Sequence, residues 1–233
     1  MTLGDEVVFG KYKWNVLDIK EDKMLLLCSR PVKFTNFMNK RIKSTWKQSA
    51  IREYLNEKFL NHFTQEDLQR IVENDTTNPK NTVFDYNADV KFANTTDKFF
   101  ILSLEEVTRY FTEFENFRTL YEAAEDDGGI FGFTDMVRPG RRMRVKLQIN
   151  KIADVHTSSI IYGFMKQHTT PEKPFNLLKL TKGKRTFDWW LRTSGFNSLH
   201  MSVVRANGYL DFRGVFVGFQ TATIRPAVWV KIQ

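Results

Sequence analysis

The segment FDWWLRTSGF, Phe187–Phe196, sets two adjacent tryptophans beside an arginine and a Thr-Ser-Gly turn. On a strand, consecutive side chains leave on opposite faces, so one of Trp189 and Trp190 enters a core while the other meets a second layer or solvent. Arg192 carries a planar fork of donors suited to carbonyls, carboxylates and ring faces. In one arrangement it is a structural clamp, stacked or bonded to loop carbonyls. In the other, the outward Trp190 and Arg192 line a ligand-binding cleft together with Arg225 of the closing segment ATIRPAVWVKI. Placed just before Pro226 at a strand start, Arg225 has the same two roles open to it, as loop pin or ligand contact.

A second chemistry-bearing run is RPGRRMRVKLQINK, with six bases and no acid between Arg138 and Lys151. On a strand, Arg142, Arg144 and Lys146 form one charged row, with Arg141 adjoining and Met143, Val145 and Leu147 on the buried face. Such a row can track phosphates with a steep salt dependence. It lacks the interleaved aromatics that stack single-stranded bases, and a solvated face paired with the acidic stretch upstream is the other use of the same pattern. That upstream stretch, Glu105 to Asp127, holds eight acids against two arginines.

Elsewhere the residue types for catalysis are present without the spacing. His62, His156, His168 and His200 are scattered, with no paired-histidine ligand spacing. Gly128, Gly129 and Gly132 form neither a dinucleotide fingerprint nor a phosphate-binding loop, and no G-x-S-x-G elbow is present. The acids and amides of ENDTTNP suit a turn at least as well as a calcium loop. Cys28, the single cysteine, lies in the apolar run KMLLLCS and is expected to be a buried strand thiol. These features predict a protein that is not an enzyme, needs no cofactor or metal, and binds a protein or other ligand, with nucleic acid as an alternative partner through the basic strand.

The chain that must position these groups has 233 residues, 42% hydrophobic and 27% charged, enough for a substantial core. Its 21 phenylalanines and 5 tryptophans suit a β-rich interior in which flat rings fill irregular gaps. A net charge of +8 favours polyanions without selecting one. There is no basic-then-apolar leader at the N-terminus and no apolar run of the ~18 residues a spanning helix needs, so a cytoplasmic protein with no membrane contact is expected.

Periodicity supplies the elements. Val8, Tyr12, Trp14, Val16 and Leu17 read as one strand, KEDK as its turn and Met24–Cys28 as the return strand, with Gly10 as a bulge. Ile51, Leu55 and Phe59 form a helical stripe after a Ser49 cap. Thr64 and Asp67 open a second helix that turns Leu68, Ile71 and Val72 inward, and Ser103 with Glu106 forms a capping box on a third. The final third is short strands, with Asn207-Gly208 predicting a type I′ hairpin. Residues 112–185 read as an elaboration inserted into a single domain spanning residues 1–233.

Taken in order, the segments GDEVVFGKYKWNVLD, STWKQSAIREYLNEKF, TTDKFFILSLEEV, WWLRTSG, VVRANG and IRPAVWV resemble a bacterial domain family without an assigned function. That family occurs in proteins of gut-type bacteria, mobile elements and phages. The resemblance covers residues 4–111 and 187–232. Tyr54 stands where the family often has Trp, Thr193 where it often has Ser, and Ile224 where it has Val. The family in turn is similar to the C-type lectin-like fold of formylglycine-generating enzymes and variable binding proteins. The resemblance implies an α+β fold of mixed short-strand sheets with two to three helices and an inserted segment. The oxidase chemistry of that fold requires cysteines this chain does not have beyond Cys28.

Overall fold

A computed structural model describes residues 1–38, 45–78, 81, 83–84, 93–127 and 157–232. The architecture is mixed α+β. The alternating N-terminal segment forms β1 (Glu6–Phe9) and β2 (Tyr12–Lys20), and the unbroken apolar run after it forms β3 (Lys23–Cys28). The single expected hairpin is therefore two. Gly10 is the turn between β1 and β2, not a bulge: its φ is +58°, and a Cβ there would lie 2.6 Å from the Phe63 ring. Any other residue would meet both backbone strain and that ring.

β3 is apolar along its length because it lies inside the sheet, between β2 and β15 (Ala227–Lys231), in an antiparallel register that pairs Leu26 with Val228. This first sheet runs β1-β2-β3-β15-β5, with β8 (Phe99–Phe100) also pairing to β15. β5 is the pair Ile71–Val72. The second predicted helix, α2 (Gln65–Arg70), opens with the expected Thr64–Asp67 capping box but ends at Arg70. The two β-branched residues after it bond to β15 as a strand, which corrects their helical assignment.

The second sheet is ordered β13-β12-β11-β14-β4, comprising β4 (Lys33–Thr35), β11 (Trp189–Ser194), β12 (His200–Val204), β13 (Leu210–Phe216) and β14 (Ala222–Ile224). β11 and β14 are parallel and the other pairs antiparallel. The β12–β13 turn differs from the type I′ expectation. Only Gly208 is left-handed, at φ +91°, and its amide bonds to the Arg205 carbonyl at 2.7 Å. Asn207 keeps a negative φ, so the link is a four-residue turn closed by a left-handed glycine.

The expected two to three helices become five among the described residues. They are α1 (Ala50–Glu53), α2, α3 (Leu104–Phe111), α4 (Phe117–Asp126) and α5, residues 157–167. α4 and α5 lie within the stretch read as an insertion. Their Phe117, Leu120, Ile161 and Met165 are buried in the same core cluster as Trp14, Leu26, Phe99 and Trp189.

Candidate functional site

Every residue of β11 is buried. Trp189 and Trp190 do leave on opposite faces, yet both are at 0% exposure, because a layer covers each side. The Trp189 Nε1–H donates to the Leu178 carbonyl at 3.0 Å, and the Trp190 Nε1–H to the Thr35 carbonyl at 2.9 Å. Phe37 packs edge-on against Trp190 with ring centres 5.6 Å apart.

Beyond Trp190 the β11–β12 ladder breaks at a bulge, and the strand turns its bonds to the start of α3. The Arg192 amide donates to the Leu102 carbonyl at 3.0 Å, and the Thr193 hydroxyl accepts the Leu104 amide at 2.9 Å. The Arg192 guanidinium, itself buried, forms a fork on Glu106 at 2.5 and 2.6 Å. It also donates to the Ile101 and Thr77 carbonyls at 2.6 and 3.0 Å and lies over the Phe100 ring. Glu106 does two jobs, since its carboxylate also accepts the Ser103 amide in the predicted capping box. Arg192 thus ties β11 to α3.

Arg225 sits where the chain leaves β14 in one sheet and enters β15 in the other. Its Nε donates to the Cys28 carbonyl at 3.0 Å and its Nη1 to the Leu177 carbonyl at 2.5 Å, over the Trp189 ring at 5.0 Å. Full burial pulls its pKa down to about 9, since desolvation disfavours the charged form. Cys28, at the exit of β3, is buried as expected, and burial pushes its thiol pKa up. The ligand-facing alternative for Trp190, Arg192 and Arg225 thus meets three interior side chains whose polar atoms are turned to the protein's own groups. They brace the strands from within.

A second set of bonds explains the helical motif. The buried Asp97 carboxylate accepts from Trp46 Nε1 at 2.8 Å, Arg52 Nε at 2.6 Å and the Thr95 hydroxyl at 2.6 Å. Asn56 reads the next residues: its amide oxygen accepts the Lys98 and Phe99 amides, and its nitrogen donates to the Phe99 carbonyl at 2.8 Å. Replacing Asp97 with Asn, which keeps the shape but removes the charge opposite Arg52, is expected to cost ~2–4 kcal/mol in a denaturant melt. Unchanged stability would show that this carboxylate does not hold the helix to β7 (Thr95–Asp97).

A concavity of the described surface lies behind none of these residues but beside them. Lys33 and Thr35, two apart on β4, point to one face, with Ile224 of β14 alongside. Ala50, Glu53, Tyr54 and Lys58 form the opposite wall, and together these seven residues line a cleft of about 130 Å³. Between Tyr54 and Lys58 the helix widens into a π turn, with the Phe59 amide bonded to the Tyr54 carbonyl. Such turns are rare and frequent at functional sites. The Lys33 ammonium lies 4.8 Å from the Tyr54 ring centre, and burial raises the pKa of the Tyr54 phenol. Sequence reasoning missed this site, since no spacing rule connects β4 to a helix two elements later.

Arg141, Arg142, Arg144 and Lys146, the expected basic strand, lie outside the described residues. Among the described residues, no three His, Cys, Asp or Glu side chains gather as a metal site would require, and no helix is long and apolar enough to cross a membrane.

Fold and site together define a mixed α+β domain of several small sheets, braced internally by its Trp and Arg motif and carrying a polar cleft at the β4 edge. The chain belongs to the DUF6273 family, a domain of unknown function, which it matches over residues 21–232. The matched span runs through residues 112–185. Comparison with curated proteins and with solved structures gives no match.

Proposed function

We propose that this domain is a recognition module that binds a protein or other ligand without catalysing a reaction, in the cytoplasm and in a phage or mobile-element setting. One observation carries the reading. Lys33, Thr35, Glu53, Tyr54 and Lys58 converge on the cleft, yet their side chains make no hydrogen bond or ion pair among the described residues. Polar groups gathered around a concavity without partners among the described residues are the usual makings of a binding site. The fold is taken as C-type lectin-like, on the tryptophan- and arginine-rich C-terminal half and the closing Arg225-Pro226 strand. That framework is shared with variable binding proteins, although fold alone does not set function.

The net charge of +8 supports nucleic acid as the alternative partner, through Arg141, Arg142, Arg144 and Lys146. A photo-crosslinking residue placed at Lys58, with a control at the exposed Lys184 outside the cleft lining, separates the two. Protein adducts from position 58 that are absent from position 184 are expected. Nucleic-acid adducts that vanish between low and moderate salt would instead favour the basic-strand alternative, and an inert position 58 would remove the cleft from the account.

A further inference from the structure

From the cleft's size and charge we infer that it receives a single acidic side chain of a protein partner, an Asp or Glu carboxylate held between Lys33 and Lys58. This rests on the recognition role proposed for the same cleft and names its chemistry. Small-molecule and cofactor pockets run to roughly 300–1,000 Å³, and this cleft, at about 130 Å³, lies well below them. That room suits a carboxylate with its last methylenes better than a whole nucleotide.

The lining charge points the same way. The lining holds two lysines, Lys33 and Lys58, against one acidic residue, Glu53, with Tyr54 and Thr35 as further hydrogen-bonding residues. A lone carboxylate is matched by the lysines, and Glu53 can accept from a neighbouring peptide N–H. A phosphate chain would bring several closely spaced negative charges against Glu53, whereas an acidic peptide can place a single carboxylate in the cleft, so the same lining discriminates against the phosphate chain.

The backbone keeps these groups in place. Asn56 sits inside the π turn and is bonded to Lys98 and Phe99 on the far side. Tyr54 and Lys58, the first and last residues of that turn, are thereby fixed on the cleft side. Opposite them, the Thr35 carbonyl is held by Trp190. Both walls are anchored from inside, which lowers the ordering cost of binding.

The test uses amide NMR spectra of the full chain titrated with hexaglutamate, hexaglutamine, inorganic phosphate and oligothymidine. Hexaglutamate is expected to shift the amides of residues 33–35 and 50–58, with hexaglutamine silent. The double variant Lys33→Gln/Lys58→Gln should bind hexaglutamate about tenfold or more weakly, as losing charge-assisted hydrogen bonds implies, and should melt like the parent because both lysines are exposed. Equal binding by the variant would overturn the assignment. Phosphate or oligothymidine acting on the cleft as strongly as hexaglutamate would overturn the acidic-peptide class while leaving the cleft as a recognition site. Silence of the cleft amides to all four probes would sink the inference, while crosslinking from position 58 would still decide the recognition role.

Discussion

Arg192→Ala should melt roughly 6–20 °C below the parent protein. The substitution breaks a buried ion pair by removing one partner, which costs ~3–5 kcal/mol because it leaves an uncompensated charge. In a domain of this size each kcal/mol moves the melting temperature by roughly 2–4 °C. Here the stranded charge is Glu106, whose side chain is only 15% exposed. The Thr77 and Ile101 carbonyls lose a donor at the same time. Arg192→Lys keeps the charge without the two-pronged fork and should recover only part of the loss. Glu106→Gln should be nearly as damaging as Arg192→Ala, because it weakens the capping box as well as the pair. The double variant Arg192→Met/Glu106→Leu should cost less than the two single losses added, the sign of a coupled pair. An Arg192→Ala protein that melts with the parent would return Arg192 to the list of ligand contacts.

How much of this was legible depends on the range over which each interaction acts. Capping boxes span three residues, and those at Thr64 and Ser103 stand where the sequence puts them. The apolar stripe Ile51, Leu55 and Phe59 is buried as its period requires. Failures begin where a neighbour in space decides. Ile71 and Val72 continue a helical pattern and are drawn into a strand only because β15 offers a free edge. Gly10 looks like a bulge until Phe63 is seen packed against it.

The Trp-Arg motif shows the same divide. Its strand is readable, and so is the alternation of its two indoles. That both faces are covered is not, since the covering groups come from Thr35, Phe37 and Leu178. Glu106 is legible as a helix cap, but no local rule joins it to an arginine 86 residues later. The cleft is the least legible part, because β4 and the π turn lie apart in the chain and meet only in space, where Lys33 reaches the Tyr54 ring, and helix widening at Tyr54 has no composition signal.

The two tryptophans are expected to separate stability from site geometry. Trp189→Ala and Trp190→Ala should each lose ~3–5 kcal/mol, the usual cost of truncating a buried large aromatic, against a total of ~5–15 kcal/mol. Both indoles are fully buried, so neither variant has the option of a solvent-facing ring. Trp189→Ala also removes the ring beneath the Arg225 guanidinium, a cation already destabilised by burial, and should be the worse of the two. Trp190→Phe is the sharper probe. It keeps most of the packing against Phe37 and deletes only the N–H that holds the Thr35 carbonyl, at a cost of ~1–3 kcal/mol for the carbonyl left unpaired. Because Thr35 is a wall of the cleft, hydrogen exchange should quicken along β4 in Trp190→Phe and stay unchanged along β3. Exchange that quickens equally in both strands would mean that Trp190 supports the whole core, with no particular hold on the cleft. If either alanine variant melted with the parent, that indole would not be the core anchor that its burial describes.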